Sequence, residues 1–394
     1  MKRIALVNQR YGTEVNGGSE YYTRLIAERL TDDFEVDVIT TKALDYTTWE
    51  NYYKADSEDI NGVHVLRFPV EACRAEDFNS YNGAYLAQIG AGKADINAEK
   101  IWFEKQGPYS PAAIKYIREN KDKYDAFIFV TYLYYLTVMG LPEAAEKAVL
   151  IPTAHEEPFI HFKTFEKLFT LPRAFVFLTD EEKALVQRLF NCRDIPCEVM
   201  GTGVEVPCTP DEAAFRKKFG ISGDYVIYVG RIDEGKNCPE MFRYFTEYKS
   251  RHPESGLKLV LMGKPVCKVP KHGDIISLGF VSEEDKFGGI SGAKALVLPS
   301  EFESLSISVL EAMTLSVPVI VNGRCEVLKG HCVKSNGGLY YTNYFEFEGI
   351  LDYIFSHDSE YGMLCENAHE YVDKNYRWDV IMKRFKELIS NISG

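Results

Sequence analysis

Short apolar runs alternate with stretches of helical period along the whole chain. "RIALVN" (3–8) reads as a strand that stops before the polar "QRYGTEVNGGSE". From Ser19 the period changes, and Leu25, Ile26 and Leu30 fall on one helical face. "FEVDVITT" (34–41) alternates as a strand does, and "GVHVLRFP" (62–69) is another. "YDAFIFVTY" (124–132) and "KAVLIPTA" (147–154) have the continuous apolar character of buried parallel strands. "RAFVFLTD" (173–180) leads into the helical "EEKALVQRLF", and "CEVMGTGVEVP" (197–207) ends this half. The pattern then restarts with "DYVIYVG" (224–230), "LKLVLMG" (257–263), "DIISLGFV" (274–281), "AKALVLPS" (293–300) and "VPVIVNG" (317–323), with helices between most of them. Repeated strand–helix units predict α/β architecture with parallel, doubly wound sheets, and two sets predict two Rossmann-like domains. Pro207 and Pro210 punctuate the chain at the break, so the expected domains are 1–205 and 206–374. Residues 79–120 are polar and glycine-containing and are expected to be helical in part.

At 394 residues the chain is too long for one ordinary core, which agrees with two domains. Its formal net charge is −13, and neither half is basic, which argues against a nucleic-acid surface. The nine cysteines have no regular spacing, and read as free thiols of a reducing compartment. The opening "MKRIALVNQRYG" carries a four-residue apolar run, shorter than an export leader needs, and no stretch approaches a membrane span. A cytoplasmic protein is expected, with any membrane contact peripheral, at the inner face.

Ligands of open α/β sheets bind at the C-terminal ends of strands, so the loops there hold the candidate chemistry. "GRIDEGKN" places Arg231 and Lys236 at one such end. Two fixed cations suit a diphosphate, although a solvated loop would carry the same charges. "EFESLSISVLEAMTLSVPV" (301–319) follows another strand and holds Glu303 and Glu311. A helix expected to start near Leu305 would turn the backbone N–H groups of Leu305, Ser306 and Ile307 toward an anion. Glu303 then suits sugar hydroxyls and Glu311 two hydroxyls of a ribose. Otherwise Glu303 is a partner of the helix N-terminus and Glu311 a surface residue, though Leu310, Ala312 and Met313 give the latter an apolar setting. Gly17-Gly18 before Ser19 and Glu20 makes either a backbone approach to a ligand or a plain turn. His155, in "IPTAHEEPF", follows an apolar strand and is either structural or part of the site. No Ser/His/Asp order or His-x-x-His spacing suggests a hydrolase or a metal site.

In this order, these segments resemble retaining glycosyltransferase family 4, which has the GT-B fold. "IYVGRIDEGKN", "LPSEFESLSISVLEAMTLSVPVIV", "NGGSEYYTRLIAERL" and "VMGTGVEV" carry the resemblance, and the spaced glutamate pair with its flanks is the most specific part. The resemblance covers most of the chain and is weakest at 42–120. It implies two Rossmann-like domains facing across a cleft, with a helix at 375–394 crossing back to the first. It further implies hexosyl transfer from a nucleotide sugar, UDP-hexose first and GDP-mannose second, to a hydroxyl of a glycan, lipid-linked or small-molecule acceptor. Arg231 and Lys236 would bind the donor's diphosphate, Glu303 would face the transferred sugar, and Glu311 would hold the ribose. Ser304, Leu305, Ser306 and Ile307 would offer backbone amides, Gly17 and Gly18 would approach the donor, and His155 would lie against its sugar. "SLSIS" departs from the commoner glycine-containing turn after the first glutamate. No cofactor or metal is implied, since no Asp-x-Asp stands beside a strand end. Two other readings stand beside this one: a nucleotide-sugar epimerase or hydrolase on the same scaffold, and a binding module without catalysis. Acceptor, linkage and oligomeric state have no signature in the sequence.

Overall fold

The computed structural model describes residues 1–15 and 17–392. Asn16, which opens the quoted glycine segment, and residues 393–394, which end the expected crossover helix, lie outside the described residues. The chain divides into two compact units, Met1–Gly201 with Asp379–Gly394, and Thr202–Trp378.

The first unit is built on an eight-stranded sheet: β1 (Lys2–Val7), β2 (Phe34–Thr41), β3 (Ser57–Ile60), β4 (Val63–Phe68), β5 (Ala126–Val130), β6 (Ala148–Ile151), β7 (Ala174–Phe177) and β8 (Cys197–Val199). Its order is β3-β4-β2-β1-β5-β6-β7-β8, and all neighbours run parallel except the edge pair β3–β4. The central strands are apolar because helices cover both faces, and β5 is buried at every position. β2 was expected to alternate, yet only Glu35 on it is exposed. Asp37 tolerates burial there because Arg3 donates to it at 2.8 Å and the Tyr124 hydroxyl at 2.5 Å. The edge hairpin β3–β4 was not anticipated. Its turn is Asn61-Gly62, both with positive φ (50° and 85°), which is the local chemistry of a two-residue hairpin.

The stretch after β4, expected to be helical in part, forms three helices, Phe78–Gly90, Ile96–Gln106 and Pro111–Asn120. Trp102 and Phe103 from this stretch pack with Phe162 and Phe165 into an aromatic core, and Phe169 stacks on Phe190 at 4.3 Å. Deleting one such ring costs about 3–5 kcal/mol.

The second unit carries a six-stranded, wholly parallel sheet: β9 (Tyr225–Val229), β10 (Lys258–Met262), β11 (Ile275–Gly279), β12 (Ala295–Leu298), β13 (Val319–Asn322) and β14 (Gly338–Tyr341), in the order β11-β10-β9-β12-β13-β14. β14, four residues long, had no signal apart from its tyrosines. β9 and β10 end in close contact. A Cβ on Gly263, which has φ 137°, would lie 1.9 Å from the carbonyl oxygen of Gly230, so only glycine fits.

The unit boundary runs a few residues before the prolines. Val204 N–H donates to Tyr376 O at 3.0 Å, which ties both crossing segments into the second unit. The last helix, Trp378–Ile392, buries Ile381, Met382, Phe385, Leu388 and Ile389, and Asp379 onward belongs to the first unit. Arg384 anchors it there through Glu198 and the carbonyl of Val199, and Lys386 through Asp33. Among the described residues no helix is long and apolar enough to cross a membrane, and all nine cysteines are free.

Candidate active site

Each sheet reverses its winding once, between β1 and β5 in the first and between β9 and β12 in the second. Loops leaving such a pair diverge and open a crevice at the strand ends. Gly17, Gly18, Arg231, Lys236 and Glu303 follow strands at these points, whereas His155 follows β6 and Glu311 lies inside a helix.

In the second unit, the loop after β9 is drawn tight by Asp233. One of its oxygens pairs with Arg231, and the other accepts the backbone N–H of Lys236 at 2.8 Å. Asn237 then takes a left-handed conformation and starts the helix Cys238–Arg251. Lys236 Nζ donates to Glu303 Oε1 at 2.6 Å, a contact that joins the loop after β9 to the loop after β12. Arg231 and Lys236 keep 41% and 32% of their side chains exposed, so both cations remain open to a ligand.

The segment after β12 starts its helix later than the sequence suggested, at Ile307–Thr314. Leu305 is buried and its carbonyl accepts from His331 Nε2 at 2.8 Å, so the chain there belongs to the core and not to a helical turn. Ser306 occupies the cap with φ 70°, a region that favours glycine. Ser304 and Ser306 are half-buried beside it. The serine-rich departure in "SLSIS" thus sits on a strained backbone position.

Glu311 stands apart from Glu303. It is buried on the helix, and Lys286, from the helix Glu283–Ser291, donates to it at 2.9 Å. Burial pushes the Glu311 carboxyl up, and Lys286 offsets this in part. Burial works against the Lys286 ammonium, yet Glu311 and Glu283 hold its pKa above the ordinary value. The surface alternative for Glu311 therefore falls.

In the first unit, Gly17 and Gly18 lead into the helix Gly18–Leu30. Gly18 has open space around it, whereas a Cβ on Gly17 would come 2.1 Å from Glu20 Oε2. Glu20 cannot give way easily. Its Oε1 accepts from Arg10 Nε and Nη2 at 2.9 and 2.6 Å and from Gln9 at 2.9 Å, and Ser19 holds Oε2 at 2.9 Å. His155, in the loop after β6, lies 3.6 Å from Glu157, which in turn accepts from the Tyr132 hydroxyl at 2.6 Å. Beneath this loop is Glu182, fully buried and unremarked in the sequence. It accepts backbone N–H groups of Ala154 and Leu178, each at 2.6 Å, and thereby ties the loop after β6 to the end of β7. Burial pushes its carboxyl up to about 8, against backbone donors from Leu178, Ala154, Thr153 and Thr179 that favour the anion.

Sequence reasoning placed the cations and Glu303 of the second unit at the strand ends where the fold has them, and missed much of what supports them. Asp233 lay inside the quoted loop but had no assigned role. The inward roles of Glu182 and Lys286 were missed because Ala154 and Glu311, the partners that define them, are distant in sequence. Among the described residues no group of three His, Cys, Asp or Glu is arranged to hold a metal ion.

Residues 223–341, which hold this charged switch point, match the family model "Glycosyl transferases group 1". An uncharacterised glycosyltransferase of Methanocaldococcus jannaschii is 25% identical over 97% of this chain and 96% of its own. These matches make the chain a glycosyltransferase. The O-antigen chain mannosyltransferase B of Escherichia coli is 21% identical to the enzyme over 62% of this chain and 73% of its own. The fold matches the Anabaena protein HepE, solved in complex with UDP-glucose, with a TM-score of 0.70 at 13% identity, covering 99% of this chain and 100% of the other. The architecture of the glycosyltransferase is thus GT-B, with two Rossmann-like domains.

Proposed function

We propose that this glycosyltransferase moves a hexosyl group from a nucleotide sugar, UDP-hexose before GDP-mannose, to a hydroxyl of a glycan, lipid-linked or small-molecule acceptor, with retention and without a metal ion. The observation that carries this reading is the Lys236–Glu303 contact across the switch point of the second sheet, with Arg231 beside it. A donor diphosphate competes with Glu303 for Lys236 and with Asp233 for Arg231. Two cations and the backbone amides at the start of the helix Ile307–Thr314 then take up the charge that develops on the leaving group. The bond from the anomeric carbon to the diphosphate oxygen breaks, and the acceptor oxygen bonds to that carbon on the same face. The acceptor's proton passes to the departing phosphate oxygen. Glu303, freed from Lys236, accepts hydroxyls of the transferred hexose, and Glu311 those of the ribose. The UDP-glucose bound to HepE and the mannosyl transfer named for the Escherichia coli relative support a nucleotide-sugar donor.

The test is a panel of labelled nucleotide sugars, scored for slow donor hydrolysis, which needs no acceptor. Release of nucleoside diphosphate from one donor, undiminished by excess EDTA, is expected. Loss of activity under EDTA that Mg²⁺ restores would refute the metal-free part. Conversion of the hexose within an intact nucleotide sugar would identify an epimerase instead.

A further inference from the structure

The basic side chains along the C-terminal edge of the first sheet are almost all neutralised where they stand. Arg10 is matched by Glu20, Arg67 by Glu58 at 2.6 Å and Lys42 by Asp56 at 2.6 Å. Arg74, in the loop after β4, differs. Its guanidinium lies over the rings of Trp49 and Phe78, at 5.9 and 5.3 Å from their centres, and its Nε is buried with no hydrogen-bond partner. Among the described residues no carboxylate forms an ion pair with it. The acid whose field reaches it, Asp45, is turned to the backbone N–H groups of Thr47 and Thr48, at 2.6 and 3.2 Å.

This cation is held in place. The Arg74 N–H donates to Thr48 O at 3.0 Å, and Trp49 is fully buried with its indole N–H on Gln106 O at 2.7 Å. Aromatic contact offsets part of the cost of burying a charge, but it fills none of the five N–H donors. With Nε buried against the rings, the two terminal nitrogens of this guanidinium, at the ligand end of a sheet and paired with no carboxylate among the described residues, fit a planar or tetrahedral oxyanion, which they can take through two parallel bonds. Burial also lowers the pKa of Arg74, which an arriving anion would reverse.

We propose that Arg74 anchors an oxyanion, phosphate ester or carboxylate, carried by the acceptor, so that the acceptor is an anionic sugar or glycan and not a neutral one. The inference rests on the glycosyl-transfer reading above and names the acceptor's chemical class. It is tested on the full chain by following the emission of Trp49, one of three tryptophans. Inorganic phosphate, glucose 6-phosphate, glucuronate and glucose are titrated with and without saturating UDP, in the wild type, R74Q and R74K, with thermal melting as the check on folding. At least one of the three anions should bind where glucose does not, and R74Q should weaken it tenfold or more. R74K keeps the charge but not the fork, so a several-fold loss is expected, and this variant decides the matter if R74Q does not fold. Equal anion affinity in all three proteins, or no binding of any anion, overturns the site. UDP binding to the wild type is a separate arm. If UDP fails to bind while anion binding still depends on Arg74, the donor reading falls and the anion site stands.

Discussion

The two switch points use charge differently. In the first unit Arg10 and Glu20 are each only 6% exposed at the side chain and satisfy one another, with Gln9 and Ser19 completing the set. In the second, Arg231 and Lys236 are paired yet 41% and 32% exposed. A saturated pair fixes the shape of a loop, and removing one member leaves a buried charge behind. A half-exposed pair is worth little to stability and can exchange a partner for a ligand. The first switch point is therefore a scaffold made of charge, and the second, on the function proposed above, is a binding surface made of the same residue types.

The widest separation should come from Glu182→Gln. The amide cannot accept from every backbone N–H that now meets the carboxylate, so a loss of about 3 kcal/mol is expected from unsatisfied buried groups. Urea denaturation read by first-unit probes should shift while those of the second do not, and an unshifted first unit would mean that the carboxylate is not holding the loop. Next come Arg231→Ala and Lys236→Ala. Each should weaken nucleoside diphosphate binding by about 1.5–3 kcal/mol in calorimetry, while the melting temperature stays near that of the wild type. A stability loss with unchanged affinity would make these residues scaffold like Arg10.

A finer cut separates the two glutamates. Glu311→Gln should reduce affinity for free nucleoside diphosphate, whereas Glu303→Gln should spare it and lower turnover with the whole donor. If the two effects are exchanged, the ribose and hexose ends of the donor are reversed. The smallest effect belongs to Ser306→Gly. Relief of the left-handed serine should raise stability by up to about 1 kcal/mol, as a small shift in chemical denaturation. Unchanged or reduced stability would mean that the hydroxyl outweighs the backbone cost.

Much of this was legible in the sequence because its cause was local. Continuous apolar runs marked the buried strands, and the cations and glutamates followed strand ends where a doubly wound sheet binds ligands. What was missed depended on distant partners. The pairing of Glu311 with Lys286 joins two helices, and no periodicity announces it. Glu182 looks like one of three acids in the first turn of a helix, and only the fold shows that it alone turns inward. The late helix start at Ile307 reflects Leu305 being claimed by the core through His331. The Asn61-Gly62 hairpin is the exception, since its signal was local and was passed over.

The bond between Val204 and Tyr376 has a consequence for how such a protein can be taken apart. It places the entry and exit of the Thr202–Trp378 unit side by side, so this unit is an insertion whose ends already meet. It can be excised or exchanged as one uninterrupted cassette. The other unit is split in sequence, and a truncation before the last helix would strip it of Phe385 and its neighbours.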